Sequence, residues 1–131
     1  MGPVEGAIRD RIGQGRELRT PARKAPFVVD RIDQRGVVLL LGKGAWHTRL
    51  SWECLEGIVT FLSGRGWIII GGRFETAGEP GTLDEYLKRF SKRSTAPWVA
   101  AMLAEARVVE VSAESPVRLR LIPTLQRSAR H

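Results

Sequence analysis

Between Ala106 and Val109 the hydrophobic period of this chain changes from 3.6 residues to 2. That switch fixes what the chain can fold into, because the segments on either side must bury faces of different geometry. Upstream, Leu83, Tyr86, Leu87 and Phe90 recur at i, i+3, i+4 and i+7, which predicts one buried helical stripe. Thr82 followed by Glu85 is a capping box at its start. The polar break Ser91-Lys92-Arg93-Ser94 ends that helix. Ser94 or Thr95 then caps a second one, with Pro97 in its first turn and the stripe Val99, Met102, Leu103 and Ala106. Downstream, Val109, Val111, Val117, Leu119 and Leu121 alternate, with Arg118 and Arg120 on the opposite face. Two strands joined at Ser112–Pro116 follow, and a register setting Val111 against Val117 would pair Glu110 with Arg118. Helices and strands that share one core make an α+β protein.

The preceding residues extend the same pattern. Ser51 caps a helix whose stripe is Trp52, Leu55, Val59 and Leu62, with Leu50 and Leu55 placed for a hydrophobic staple. Gly64 and Gly66 stop it, and Trp67–Ile70 reads as a short buried strand ended by Gly71-Gly72. Residues 73–81 read as a loop. Trp52 and Trp67 are expected in the core, and Trp46 and Trp98 at least partly exposed. Phe27–Ile32 and Val37–Leu41 form a hairpin closed by Asp33-Gln34-Arg35-Gly36. The unbroken Val37–Leu41 run predicts a central strand covered on both faces. Val4–Ile12 reads as an amphipathic helix, 16–26 as a Pro-broken basic linker, and Gly42–Thr48 as a loop.

Over residues 51–122 the order is helix, strand, helix, helix, strand, strand, which resembles the winged helix-turn-helix superfamily. The resemblance rests on element order. It implies that the lone strand joins the C-terminal ribbon in a three-stranded sheet, and that the protein binds double-stranded DNA. The organisation expected is a winged helix-turn-helix domain preceded by an N-terminal helix and β-hairpin. Its parts are a helix and basic arm (1–26), a β-hairpin extension (27–50), a winged helix-like domain (51–122) and a basic, fraying tail (123–131).

Charge agrees with such a partner. The chain carries +7, from 21 basic and 14 acidic residues, concentrated as +5 over residues 1–49 and +3 over 107–131. A polyanion is the natural partner for that balance. In helix-turn-helix domains the second helix enters the major groove. The contacts expected here are Arg19, Arg23 and Lys24 of the arm, Lys88, Arg89, Lys92 and Arg93 before the second helix, Ser94, Thr95 and Trp98 at its start, and Arg118 and Arg120 of the wing. Beyond the turn that helix offers Ala100, Ala101, Ala104 and Glu105 rather than Arg, Asn or Gln, so contact falls on the phosphate backbone rather than on base edges. The alternative is a protein-interaction module, a homodimer in its simplest form, docking through Trp46, Trp98 and the Ala100/Ala101/Ala104 face.

Other chemistry lacks the residues it needs. Gly42-Lys43-Gly44 has neither the spacing nor the following Ser/Thr of a phosphate loop. One cysteine and two histidines cannot fill a structural zinc site, and Cys54 has no nucleophile's partner base in sequence. Glu53 and Glu56 are accounted for by the start of their helix. No catalytic role, metal or cofactor is expected. The apolar runs are too short to span a bilayer, no secretory signal opens the chain, and a lone Cys fits a reducing compartment, so a cytoplasmic protein is expected, nucleoid-associated if it binds DNA.

Overall fold

The computed structural model describes residues 2–42, 46–71, 81–112, 114, 116–123 and 125. The chain is mixed α+β, in the order α1 (Pro3–Arg11), β1 (Arg16–Arg19), β2 (Pro26–Asp33), β3 (Gly36–Leu41), β4 (Trp46–Ser51), α2 (Trp52–Leu62), β5 (Ile68–Ile69), α3 (Leu83–Leu87), α4 (Ala96–Glu105), β6 (Val109–Ser112) and β7 (Arg118–Leu121). The first four strands form an antiparallel sheet in the order β1-β2-β3-β4, and the last three a second sheet in the order β5-β7-β6. Helix α2 touches β4 and β7, while α4 touches β1 and β6, so both helices lie between the sheets.

The hairpin expected over 27–50 is therefore larger than its two strands. Arg16–Arg19, expected as a linker, pairs with β2, and Trp46–Ser51, expected partly as a loop, pairs with β3. Strand β1 has a single apolar residue, Leu18, too few to display a period, yet Leu18 is buried opposite Phe27. In β4 the alternation Trp46, Thr48, Leu50 is genuine, with Thr48 and Leu50 buried. Register puts Leu18, Phe27, Val29, Val37, Leu39 and Leu50 on the inner face, all buried. Strand β3 is central as expected. On its outer face Val38 is paired with Arg31 of β2 and Arg49 of β4, and it is buried.

The turn from β2 to β3 is organised by Asp33. Its Oδ1 accepts from the backbone N–H of Arg35 (2.8 Å) and Gly36 (3.2 Å) and from Arg49 Nη1 (2.9 Å). Those donors, the Arg49 hydrogen bond first, pull its carboxyl down to about 2. Gly36 has φ +148°, and a Cβ there would fall 1.9 Å from the Leu50 carbonyl oxygen, so no other residue fits.

Helix α2 starts as expected, Ser51 Oγ accepting from Cys54 N at 3.1 Å. Its Glu56 has a use that the sequence did not show. The carboxylate accepts from Val4 N (3.1 Å) and Glu5 N (2.8 Å), capping α1 from 52 positions away. Gly2 brings no side chain to that cap, and a Cβ there would lie 2.3 Å from the Glu56 carboxyl carbon. Cys54 is wholly buried, and burial pushes its thiol up to about 12.

Helix α3 is capped by Thr82, whose Oγ1 accepts from Glu85 N, while Glu85 Oε1 accepts from Gly81 N. It stops at Leu87. Phe90, expected in its buried stripe, lies beyond the helix and is 45% exposed. Helix α4 ends in a Schellman motif, Val108 N donating to Leu103 O and Arg107 N to Ala104 O, with Arg107 at φ 60° where Gly is usual. In the ribbon the register is shifted by two residues from expectation. Glu110 faces Arg120 and Ser112 faces Arg118, because the connection between β6 and β7 takes in Val117. Glu110 accordingly accepts from Arg120 Nε at 2.9 Å. Trp67, expected in the core, precedes β5 and is 42% exposed, with the Arg120 guanidinium 4.4 Å above its ring.

The loop expected at 73–81, the Gly42-Lys43-Gly44 segment and the C-terminal tail lie largely outside the described residues, although Leu125 packs against the core.

Candidate functional site

The six residues between α3 and α4's approach, 88–93, hold four cations, and Lys88, Arg89, Lys92 and Arg93 are all exposed. They sit there because α3 is short. With its last turn ended at Leu87, the polar run cannot continue as helix, and Phe90 is carried outward with it. Lys88 is held 3.6 Å from Asp84, itself buried at the start of α3. Arg89 lies 5.8 Å from the Tyr86 ring centroid. The Arg93 guanidinium lies 4.1 Å from the ring of Trp46. Lys92 has no ion pair among the described residues.

Aromatic rings run between these charges. Phe61 of α2 stacks on Tyr86 at 5.0 Å, Tyr86 meets Phe90 at 5.5 Å, and Arg65 lies 4.7 Å over Phe61. The stack is anchored by Tyr86, whose hydroxyl donates to the Cys54 carbonyl at 2.7 Å. Burial pushes that phenol up to about 12, keeping it a neutral donor. Arg65, Phe61, Tyr86, Arg89 and Phe90 are thus one connected strip, and Arg93 with Trp46 continues it three residues further along the chain.

Arg93 and Trp46 also line an open, mainly apolar cleft of about 590 Å³. Leu41 and Gly42 end β3 against it, Trp46 and Thr48 of β4 form one wall, and Arg93, Ser94, Thr95 and Trp98 bring in the start of α4. The cleft exists because β4 is an edge strand whose inward side chains reach α4 only in part: Thr48 and Leu50 are covered, Trp46 is 59% exposed. Thr95 at the N-cap of α4 is 1% exposed, and its Oγ1 has no hydrogen-bond partner among the described residues.

The expected contact residues divide accordingly. Arg93, Ser94, Thr95 and Trp98 come together in the cleft, and Lys88, Arg89 and Lys92 precede them along the chain in the exposed turn. Arg19, Arg23 and Lys24 belong to the β1–β2 connection rather than to a free arm. Arg19 Nη1 donates to Lys24 O at 3.0 Å, and the turn is closed by Thr20, which accepts from Ala25 N. Sheet order places that turn at the same end of the sheet as Trp46, about 14 Å away over three strand spacings. The wing residues stand apart. Ile70 O accepts from Asp84 N and Ile70 N donates to Val117 O, so the ribbon tip meets the start of α3 and the cationic turn leaves its other end. Arg120 is committed to Glu110 and Trp67, and Arg118 is half-buried.

The expected outer face of α4 is overturned. Ala100 and Ala101 are buried and Ala104 packs against the core, so they are no outer face for a partner. Their small size lets neighbours close on the helix from β1, β6, α1 and α3, and Arg16 of β1 pairs with Glu105 at its end. Trp98 is half-buried against the core. Pro97, Trp98, Ala104 and Glu105 leave one side of α4 partly exposed. Sequence reasoning missed the contribution of β4, Arg65 and Phe61, and only the Trp46-Thr48-Leu50 alternation carried a signal for any of them.

No family model, curated protein or solved structure matches this chain. Among the described residues no group of three or more His, Cys, Asp or Glu side chains could hold a metal ion, and no helix is long and apolar enough to cross a membrane.

Proposed function

We propose that residues 51–122 are a winged helix module and that the protein binds DNA through the phosphate backbone, using the cationic turn at 88–93 in place of its second helix. The element order and the sheet order β5-β7-β6, with the lone strand paired to the last, support the winged helix reading. The observation that carries the function is the exposed turn with Arg89, Lys92 and Arg93 beside the Arg65 strip, free of carboxylate partners among the described residues. Phosphate contact needs clustered cations and no base-edge geometry. The partly exposed side of α4, with Pro97, Trp98, Ala104 and Glu105, carries no Arg, Asn or Gln for bidentate contact with a base edge, which leaves that mode as the one available. Arg23 and Lys24, at the same end of the first sheet, extend the surface.

Four phosphate contacts would make log K fall with log salt at a slope of about −3 to −4. The test is a fluorescence-anisotropy titration of a blunt DNA duplex between low and physiological salt. Arg89→Glu with Lys92→Glu should weaken binding alike on unrelated sequences and flatten the slope by about 2. Binding indifferent to salt, or absent at low salt, refutes the proposal.

A further inference from the structure

We infer that the cleft between Trp46 and Trp98 is a subsite for one unpaired nucleotide of a DNA strand, so that the protein favours duplex ends with a single-stranded overhang over blunt duplex. This inference rests on the DNA-binding reading above and gives the cleft a ligand.

Four observations converge on a flat, anionic occupant. The cleft, about 590 Å³, is of small-ligand size, within the range of about 300–1,000 Å³ usual for such sites. Its lining is mainly apolar and includes two indoles, which suit the π-face of any base. Arg93, over the Trp46 ring, supplies a cation for the phosphate of the same nucleotide. At the N-terminus of the ten-residue helix α4, Thr95 is 99% buried yet its hydroxyl is unpartnered among the described residues, although such groups are nearly always satisfied. A base edge or phosphate oxygen entering the cleft would supply the missing partner, and the helix dipole favours the anion.

A paired base cannot reach this cleft, because its faces are covered by neighbours in the stack and extruding it costs pairing energy. An overhang presents the base without that cost. The cleft adjoins the cationic turn, so the duplex backbone can lie along Lys92 and Arg89 while the first unpaired nucleotide enters beside Arg93.

The experiment compares three probes by anisotropy at one low salt concentration: a blunt duplex, the same duplex with a four-thymidine overhang at one end, and the overhang strand alone. Stacking of one base should raise affinity for the overhang duplex about tenfold over the blunt one. Trp46→Leu, at an exposed position whose effect on folding is checked by thermal denaturation, should bring that ratio close to one. Thr95→Val, nearly isosteric, should lower it by a few fold. Equal affinity of wild type for blunt and overhang duplexes, or an unchanged ratio in Trp46→Leu, overturns the cleft assignment and leaves backbone binding standing. Binding to none of the probes overturns both.

Discussion

Replacing Gly57 with alanine should destabilise this protein, against the ordinary rule for a helix interior. Gly57 lies in the middle of α2, where a Gly→Ala change normally stabilises by about 1 kcal/mol. Here the new Cβ would fall 2.3 Å from the Tyr86 hydroxyl oxygen, so that the ring must retreat by 1.1 Å to reach the 3.4 Å of ordinary contact. That movement breaks the 2.7 Å bond from Tyr86 to the Cys54 carbonyl. Overpacking costs about 1–3 kcal/mol and the lost bond about 1 kcal/mol, so the net effect is a loss of about 1–3 kcal/mol. In a Tyr86→Phe background the sign should reverse. The nearest remaining atom is then the ring carbon at 3.5 Å, an ordinary contact, and only the propensity gain of about 1 kcal/mol is left. Urea denaturation of the four proteins of the cycle measures this, at constant m. A coupling of about 2–4 kcal/mol follows from adding these terms. Stabilisation by Gly57→Ala in the Tyr86 protein, or the same change in both backgrounds, would refute the packing of α2 on α3 and with it the anchoring of the aromatic strip.

Two further outcomes follow from the titrating groups. Cys54, at about 12 against an ordinary 9.0, should carry about a thousandfold less thiolate at pH 8 than a free thiol, and it is buried as well. A disulfide reagent should leave it unmodified in the native protein and react at once on unfolding; labelling of the folded chain within minutes contradicts its burial. The carboxyl of Asp33 titrates lower in the folded than in the unfolded chain, so the stability it confers is whole above its ordinary value of 3.8 and disappears as pH falls through about 2. Asp33→Asn should therefore make acid unfolding shallower across that window, and an Asp33 midpoint near 3.8 by NMR titration would show the Arg49 contact to be absent.

The helix starts were legible wherever a side chain capped its own helix, as at Ser51 and Thr82. The cap on α1 was not, because Glu56 supplies it from another helix, a contact that no local pattern encodes. Strands with several apolar residues announced themselves, whereas β1 is held by pairing to β2 and by one buried leucine. The cationic turn could be read directly. The cleft could not, since it needs β4 to bring Trp46 toward α4 across a gap of 47 positions to Arg93. The alanines of α4 misled for a physical reason: small residues leave room on a helix, and the sequence does not say whether solvent or backbone fills it.

Burial of Ala100 and Ala101 also limits where this chain can vary. Any enlargement of Ala100 or Ala101 meets the packed interior, whereas Trp46, Lys88, Arg89, Lys92 and Arg93 face solvent. A library randomised at those exposed positions should yield mostly folded chains, while one randomised at Ala100 and Ala101 should yield mostly unfolded ones.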